Sequence, residues 1–203
     1  MTVELTDRIE MTDSSEPSLD ELFELLERMP VPEGYKAEIV EGTVHMTPQR
    51  DTHWEIIAAL YDHLRSRHPR NRLKSDVRID FPGPSNGFAP DMVLLAEGAR
   101  QTGRGRWRYQ DIQFVAEVIS EATRHNDYGK KCEAYAAAGV PSYLIVDPYT
   151  ARCHLFTHPK DGEYRSHLAV GFGEVLDLGD TPVGLVLPTD EFPRERGSAD
   201  DDR

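Results

Sequence analysis

Cysteine is scarce and long apolar segments are absent in this sequence of 203 residues. The two cysteines, Cys132 and Cys153, do not have the spacing of a metal site, and we expect both to be reduced thiols. No apolar run approaches the roughly 20 residues that a membrane-spanning helix needs. The first residues, MTVELTDRIE, are acidic and lack the basic-then-apolar order of a signal peptide. These absences favour a globular cytoplasmic protein without a membrane segment.

Signatures of zinc sites and of covalent hydrolases are also missing. The histidines show no HxxxH or similar ligand spacing, which argues against a zinc site. Ser120 lacks the G-x-S-x-G context of a hydrolase nucleophile. Cys132 lies inside a predicted helix without an evident base. A serine or cysteine hydrolase is therefore disfavoured.

The net charge of −13 is concentrated at the two ends of the chain. Residues 1–27 carry a net charge of −8 and residues 190–203 a net charge of −3, which leaves about −2 for the rest. We expect a flexible acidic lead over 1–17, a single domain over 18–189 and a flexible acidic tail over 190–203. Since phosphate contacts depend on local charge, the acidic total does not exclude a nucleic-acid partner.

Hydrophobic spacing and turn residues predict an α/β chain in which helices and strands alternate. A capping box of Ser18 and Glu21 starts the first helix, and Asp51 caps a second helix whose buried stripe runs through Trp54, Ile57, Ala58, Tyr61 and Leu64. The helices are predicted over 19–29, 51–67 and 126–138, and the strands over 36–40, 43–46, 73–81, 92–96, 112–119, 143–146, 152–157 and 164–170. Residues 82–87 and 97–111 are predicted loops, the second Arg-rich and mobile. This order favours a mixed central sheet flanked by helices.

An acid lies in each of two neighbouring apolar strands, Asp91 at the start of 92–96 and Glu117 inside 112–119. A carboxylate in such a strand is costly unless it is paired or binds a cation. If the strands pair as a hairpin closed by 97–111, the two carboxylates converge. Converging carboxylates suit Mg²⁺ or Mn²⁺, and such an ion can polarise a phosphodiester. The alternative is that Asp91 caps a strand end and Glu117 pairs with a lysine or arginine.

Lys131 lies on the helix that follows the second of these strands. At helical spacing it shares a face with Asp127 and Tyr135. Near a metal ion, its ammonium could orient the attacking water or stabilise the phosphate in the transition state. The alternative is a structural ion pair with Asp127.

Several motifs, taken together and in their order along the chain, resemble those of the putative restriction endonuclease family with the PD-(D/E)XK nuclease fold. The resemblance runs from Glu38 to Asp147, about 110 residues. The motifs that carry it are Glu38-Ile39-Val40-Glu41-Gly42, His53, Pro90-Asp91, Glu117-Val118-Ile119-Ser120 with Thr123-Arg124, and Asp127 through Lys131, Tyr135, Gly139-Val140 and Tyr143 to Val146-Asp147-Pro148.

The resemblance implies Mg²⁺- or Mn²⁺-dependent hydrolysis of DNA. It implies a metal site of Asp91 and Glu117, with Glu38 as a further catalytic acid and Lys131 in the lysine role. His53 and Asp127 are candidates for residues that support the metal ligands. For His53 a helix-capping or partly buried role is the alternative, and for Glu38 a hairpin salt bridge.

Three positions depart from the family pattern. The lysine expected two residues after the second acid is replaced by Ile119, so the lysine role moves to the following helix. Glu121 stands where the family usually has proline, and Glu41 stands where aspartate is common.

The predicted loop over 97–111 is the better of two basic segments for contacting DNA, because glycines loosen it and aromatics could stack on bases. Its arginines are Arg100, Arg104, Arg106 and Arg108. A solvated loop is the alternative.

The leading hypothesis is therefore a metal-dependent endonuclease that acts on DNA. The alternative is a catalytically inactive protein that keeps the fold and serves as a nucleic-acid or protein interaction module. Cleavage of both DNA strands would favour a homodimer.

Overall fold

The computed structural model describes residues 17–121 and 123–195. The predicted acidic lead lies outside these residues apart from Pro17, and so does the predicted tail beyond Glu195. Phe192 falls in that predicted tail but is buried in the core. Glu195 accepts a hydrogen bond from Arg50 at 3.2 Å. The packed part of the chain therefore extends past residue 189, where the predicted domain ended.

The helices of the described chain are α1 (Leu19–Arg28), α2 (Asp51–Arg65), α3 (Arg124–Tyr128) and α4 (Lys130–Ala137). The predicted capping box starts α1: the Glu21 backbone N–H donates to Ser18 Oγ at 3.3 Å, and the Ser18 N–H donates to the Glu21 carboxylate at 2.7 Å. Within the described residues, no helix has both the length and the apolar character to cross a membrane.

Thirteen strands occur in the described chain. The predicted hairpin of the first two is confirmed, and its tight turn uses Glu41 and Gly42 at φ 47° and 76°. The strands are β1 (Tyr35–Val40), β2 (Thr43–Pro48), β3 (Leu73–Lys74), β4 (Ile79–Phe81), β5 (Asn86–Phe88), β6 (Met92–Leu95), β7 (Trp107–Arg108), β8 (Ile112–Val118), β9 (Ser142–Asp147), β10 (Arg152–Lys160), β11 (Glu163–Gly171), β12 (Val175–Asp177) and β13 (Val186–Pro188).

A six-stranded sheet in the order β11-β10-β9-β8-β6-β3 forms the centre of the fold. β6 and β8 pair antiparallel, as predicted, whereas β8 and β9 pair parallel because α3 and α4 cross over between them. A second sheet in the order β2-β1-β5-β4-β7 lies beside it, and β12 pairs with β13. The predicted α/β fold with a mixed central sheet is confirmed.

The inner strands β6, β8 and β9 of the central sheet are buried on both faces. Along β6, Met92 and Leu94 pack on the side of α2, whereas Val93 and Leu95 pack on the side of α4. Two covered faces explain why these strands are continuously apolar rather than alternating.

The predicted buried stripe of α2 is wrong at Trp54, whose exposed fraction is 67%. The helix is rotated so that His53 Nε2 lies 3.1 Å from Asp91 Oδ2, which turns Trp54 away from the sheet. Asp51 is the first residue of the helix, and Arg50 holds the cap position without a side-chain cap. The buried residues are His53, Ile56, Ile57, Leu60 and Leu64.

The predicted strand over 73–81 is two strands in different sheets. Asp76, at φ 52°, breaks the extended backbone between them. Leu73 and Ile79 consequently enter different core clusters. The predicted loop 82–87 is shorter than expected, because Asn86 and Gly87 belong to β5.

The predicted helix over 126–138 is broken at Gly129 into α3 and α4. A Cβ atom at this position would lie 2.9 Å from the carbonyl oxygen of His125, so the backbone passes too close for a side chain. The Asp127 carboxylate and the Lys131 ammonium meet at 3.2 Å across the break, as their spacing of four residues predicts.

Gly129→Ala should lower the free energy of unfolding by about 1–3 kcal/mol, because the new Cβ meets backbone that cannot move without opening α3. Denaturant unfolding measures the change. Gly103→Ala is the matched control, since nothing lies within 4 Å of its Cβ position. Equal stability of the two variants would contradict this account of the helix break.

Candidate functional site

A cluster of buried charged side chains lies between the two sheets and the helices. Its members come from β1, α2, the start of β6, β8, α3 and α4, so none of these elements forms it alone. We call this set the charge cluster; it comprises Lys36, Glu38, His53, Asp91, Glu117, Asp127 and Lys131.

Asp91 and Glu117 converge as the predicted strand pairing requires. Met92 of β6 is opposite Ala116 of β8, which places the two acids side by side at one end of the pair. The Val118 N–H donates to Asp91 Oδ2 at 2.8 Å, and the Asp91 N–H lies 3.4 Å from Glu117 Oε2.

Glu38 reaches the cluster from β1, in the second sheet. The Ala89 N–H donates to Glu38 Oε1 at 2.8 Å, and Lys131 Nζ donates to Glu38 Oε2 at 2.7 Å. Lys131 therefore links Glu38 to Glu117, which its ammonium also contacts.

Lys131 is surrounded by carboxylates. Its Nζ lies 2.7 Å from Glu38, 3.0 Å from Glu117 and 3.2 Å from Asp127, and its side chain is 5% exposed. The ion pair with Asp127, considered from sequence as an alternative, is thus one of three. Burial alone would lower the pKa of Lys131, but these carboxylates raise it well above its usual range.

Lys36 is the member of the cluster that sequence reasoning missed. Its Nζ lies 2.7 Å from Asp91 Oδ1 and 3.9 Å from both Glu38 and Glu117. Period-two alternation could have found it, because Lys36 and Glu38 are two residues apart on one strand and so share a face.

Lys36 also reaches towards the surface, where Asp76 Oδ1 lies 3.5 Å from its Nζ. The Asp76 side chain is 44% exposed. Asp76 therefore lies on the solvent side of the charge cluster. It was not predicted as a site residue from the sequence.

His53 supports Asp91. Its ring contacts Asp91 Oδ2, whereas Lys36 contacts the other oxygen of the same carboxylate. Burial alone would raise the pKa of Asp91, but Lys36 and His53 hold it well below its usual range. Burial lowers the pKa of His53, but the hydrogen bond to Asp91 and the charge of that carboxylate together raise it above its usual value. The structure thus brings His53 to the position that sequence suggested for a supporting residue.

Carboxyl groups outnumber ammonium groups within the cluster. Four buried carboxylates (Glu38, Asp91, Glu117 and Asp127) face two buried ammonium groups. Burial raises the pKa of Glu117 to about 8, against the attraction of Lys131. Burial also raises the pKa of Asp127. A group of carboxylates with this excess is suited to taking up a further cation.

Little free space remains among these side chains. The cavity at the centre of the cluster has a volume of about 20 Å³, room for about one water molecule. A second cavity of about 210 Å³, walled by Arg50, Ser120 and Tyr149, shares only His53 with the first. A larger ligand would have to occupy the second cavity or the outer mouth of the first.

The carboxylate oxygens of the cluster are suitable ligands for a divalent ion, but the ammonium groups of Lys36 and Lys131 lie among them. Carboxylate oxygens are the ligands that Mg²⁺ and Mn²⁺ prefer. Within residues 17–121 and 123–195, however, no three His, Cys, Asp or Glu side chains converge closely enough to hold an ion as they stand. An ion at Asp91 and Glu117 would therefore require Lys36 to move.

The predicted DNA-contacting arginines lie apart from the cluster. Their loop joins β6 to β8 at the end opposite Asp91 and Glu117, about 15 Å away at the usual rise per strand residue. Arg104 and Arg106 both contact Asp20 of α1, at 2.9 and 2.6 Å. Arg100 is exposed, and Arg108 pairs with Asp111 at 3.2 Å.

Comparisons with known proteins agree with this architecture. A family model described as putative restriction endonuclease matches residues 22–190, which include Glu38, Asp91, Glu117 and Lys131. The crystal structure of a putative nuclease belonging to DUF820 from Anabaena variabilis is similar, with a TM-score of 0.65 and 14% sequence identity. That match covers 87% of this chain and 97% of the other. No curated protein matches this sequence. The restriction-endonuclease-like fold predicted from sequence is confirmed.

Lys131→Met should lower the free energy of unfolding by about 3–5 kcal/mol, because three buried carboxylates would lose their shared partner. Lys130→Met is the matched control: the adjacent side chain is 51% exposed, and its loss should change stability by less than about 1 kcal/mol. Denaturant unfolding compares the two. If both variants are as stable as the unsubstituted protein, Lys131 does not hold the cluster together.

Proposed function

Since this chain belongs to the putative restriction endonuclease family, we propose that it is a metal-dependent endonuclease that hydrolyses DNA phosphodiester bonds. The observation that carries the proposal is the convergence of the buried Asp91 and Glu117 from adjacent strands. A buried pair of carboxylates of this kind is costly to keep without a cation.

Asp91 and Glu117 would hold Mg²⁺ or Mn²⁺, and Glu38 would complete the acidic side of the site. Such an ion supplies a Lewis acid for the phosphoryl oxygen and lowers the pKa of a bound water. The excess negative charge of the cluster favours a divalent ion over a monovalent one.

Lys131 acts as a positioning residue in this proposal. Its ammonium has three hydrogens to donate, and three carboxylates lie within 3.2 Å of it. No donor is then left for a phosphate or a water. Lys131 consequently keeps Glu38 and Glu117 at a fixed separation, a different role from the one the sequence suggested.

His53 orients Asp91 by contacting Oδ2 from the side of the second cavity. A carboxylate held at one oxygen in this way presents the other oxygen to the cluster centre. His53 thereby reduces the conformational freedom that Asp91 would lose on binding an ion.

A non-catalytic interaction module is the second candidate function. The observation that favours it is the ammonium of Lys36 against Asp91, which satisfies the carboxylate without a metal ion. Such a protein would bind its partner and cleave nothing, with or without divalent ions.

Asp91→Asn should reduce Mg²⁺- or Mn²⁺-dependent nicking of supercoiled plasmid by at least about 100-fold, because a proposed metal ligand loses its charge. Gel analysis of the plasmid measures the loss. Asp147→Asn is the matched control: Asp147 is equally buried at the end of the next strand but caps Tyr149 and Thr150 outside the cluster. Full nicking by Asp91→Asn would contradict the proposed site, and no nicking by the unsubstituted protein would favour the module.

Arg100→Ala combined with Arg104→Ala should weaken binding to duplex DNA and reduce the slope of log affinity against log salt by about 2, if each arginine contacts one phosphate. Fluorescence anisotropy at several salt concentrations measures both quantities. The control is Arg165→Ala, an arginine of β11 paired with Asp161 and Glu163. An unchanged affinity and slope would show that the loop does not contact DNA.

A further inference from the structure

We propose that Lys36 is a built-in cation of the site, which occupies the metal position until a divalent ion binds and then moves to Asp76. This inference rests on the proposed function, because it concerns how the same carboxylates accept the ion. It assigns to Lys36 and Asp76 a role that neither the sequence motifs nor the family match provides.

The position of the Lys36 ammonium is the first argument. Its Nζ is within 4 Å of carboxylate oxygens of Asp91, Glu38 and Glu117, the three acids proposed to surround the ion. These acids come from both sheets, and the Lys36 ammonium lies beside all three of them. A cation at this point lowers the repulsion among the carboxylates, as a metal ion would.

Space is the second argument. The free volume at the centre of the cluster is about 20 Å³, enough for about one water molecule. Mg²⁺ usually keeps several of its own waters when it binds to protein carboxylates. The ammonium and a partly hydrated ion therefore cannot share the centre, and Lys36 has to leave when an ion enters.

Lys36, rather than Lys131, is suited to this exchange. Lys131 makes three contacts of 3.2 Å or less, and all of its partners are buried. Lys36 makes one contact shorter than 3.5 Å, to Asp91. Removing Lys36 from the centre thus breaks one close ion pair, whereas removing Lys131 would break three.

Asp76 provides the place to which Lys36 moves. Its carboxylate is 3.5 Å from Nζ before any movement and is 44% exposed, so it lies in the direction of solvent. A small rotation of the flexible lysine side chain replaces the contact with Asp91 by a closer one with Asp76. The displaced charge is then paired at the surface instead of being left buried.

The exchange explains how the cluster can remain folded without metal and still accept it. In the metal-free state, Lys36 keeps the carboxylates of Asp91, Glu38 and Glu117 together around its ammonium. After exchange, its ammonium stands at the mouth of the site, on the side open to a polyanion.

Isothermal titration of the full-length protein with Mn²⁺, without DNA, tests the exchange. Lys36→Met should bind Mn²⁺ at least about 10-fold more tightly than the unsubstituted protein, because no ammonium has to be displaced. Lys130→Met is the control and should bind with unchanged affinity, since its side chain contacts Glu41 outside the cluster.

Asp76→Asn provides a second variant, which keeps Lys36 and retains the φ of 52°, a conformation that asparagine adopts readily. It should weaken Mn²⁺ binding by about 5-fold or more, because the displaced ammonium loses its receiving carboxylate. Combined with Lys36→Met, Asp76→Asn should have less than about a 2-fold effect. If Asp76 instead attracted the ion directly, Asp76→Asn would weaken Mn²⁺ binding by the same factor in the double variant as in the single variant.

Mn²⁺ binding by Lys36→Met that is no tighter than that of the unsubstituted protein would overturn the exchange. So would unchanged or tighter binding by Asp76→Asn, a result that can be obtained even if Lys36→Met does not fold. Either result together with metal-dependent nicking of plasmid would leave the nuclease proposal intact. The expected affinities without any nicking would overturn the nuclease proposal and leave the exchange standing.

Discussion

The burial of four carboxylates with only two ammonium groups is the constraint on which the rest of the site depends. Each carboxylate lies on an element that the fold needs for other reasons, so none of them can retreat to solvent. The lysines reduce the repulsion without removing it. This excess of carboxylates over ammonium groups is what makes the cluster suited to the proposed cation.

Local features of the chain position each charge. The spacing of four residues between Asp127 and Lys131 brings their charges together, and the hairpin turn at Glu41 and Gly42 keeps β1 in register to present Glu38. The rotation of α2 points a histidine into the cluster and leaves a tryptophan in solvent. The site therefore depends on backbone details far smaller than the sheet architecture, and these details make it sensitive to single substitutions outside the acids themselves.

Much of this arrangement could be predicted from sequence. Asp91 and Glu117 were identifiable because a carboxylate within an apolar strand is rare enough to require an explanation. The capping box of α1 and the first hairpin were predictable because their signals involve neighbouring residues. Trp54 was misplaced because its helix has two plausible apolar faces, and only contacts with the sheet choose between them. Lys36 was missed because a lysine near the start of a strand is usually solvated.

Local pattern thus determined the main helices, the strands that carry the two acids and the order of both, since all of these follow from residues close together in the chain. Tertiary structure decided which cations those acids meet. It carried Lys36 and Glu38 from one sheet to the carboxylates of another, and it placed the arginine loop at the far end of the β6–β8 pair. The physical reason is that charge pairing acts between atoms a few ångströms apart, and such distances between remote segments exist only once the core has packed.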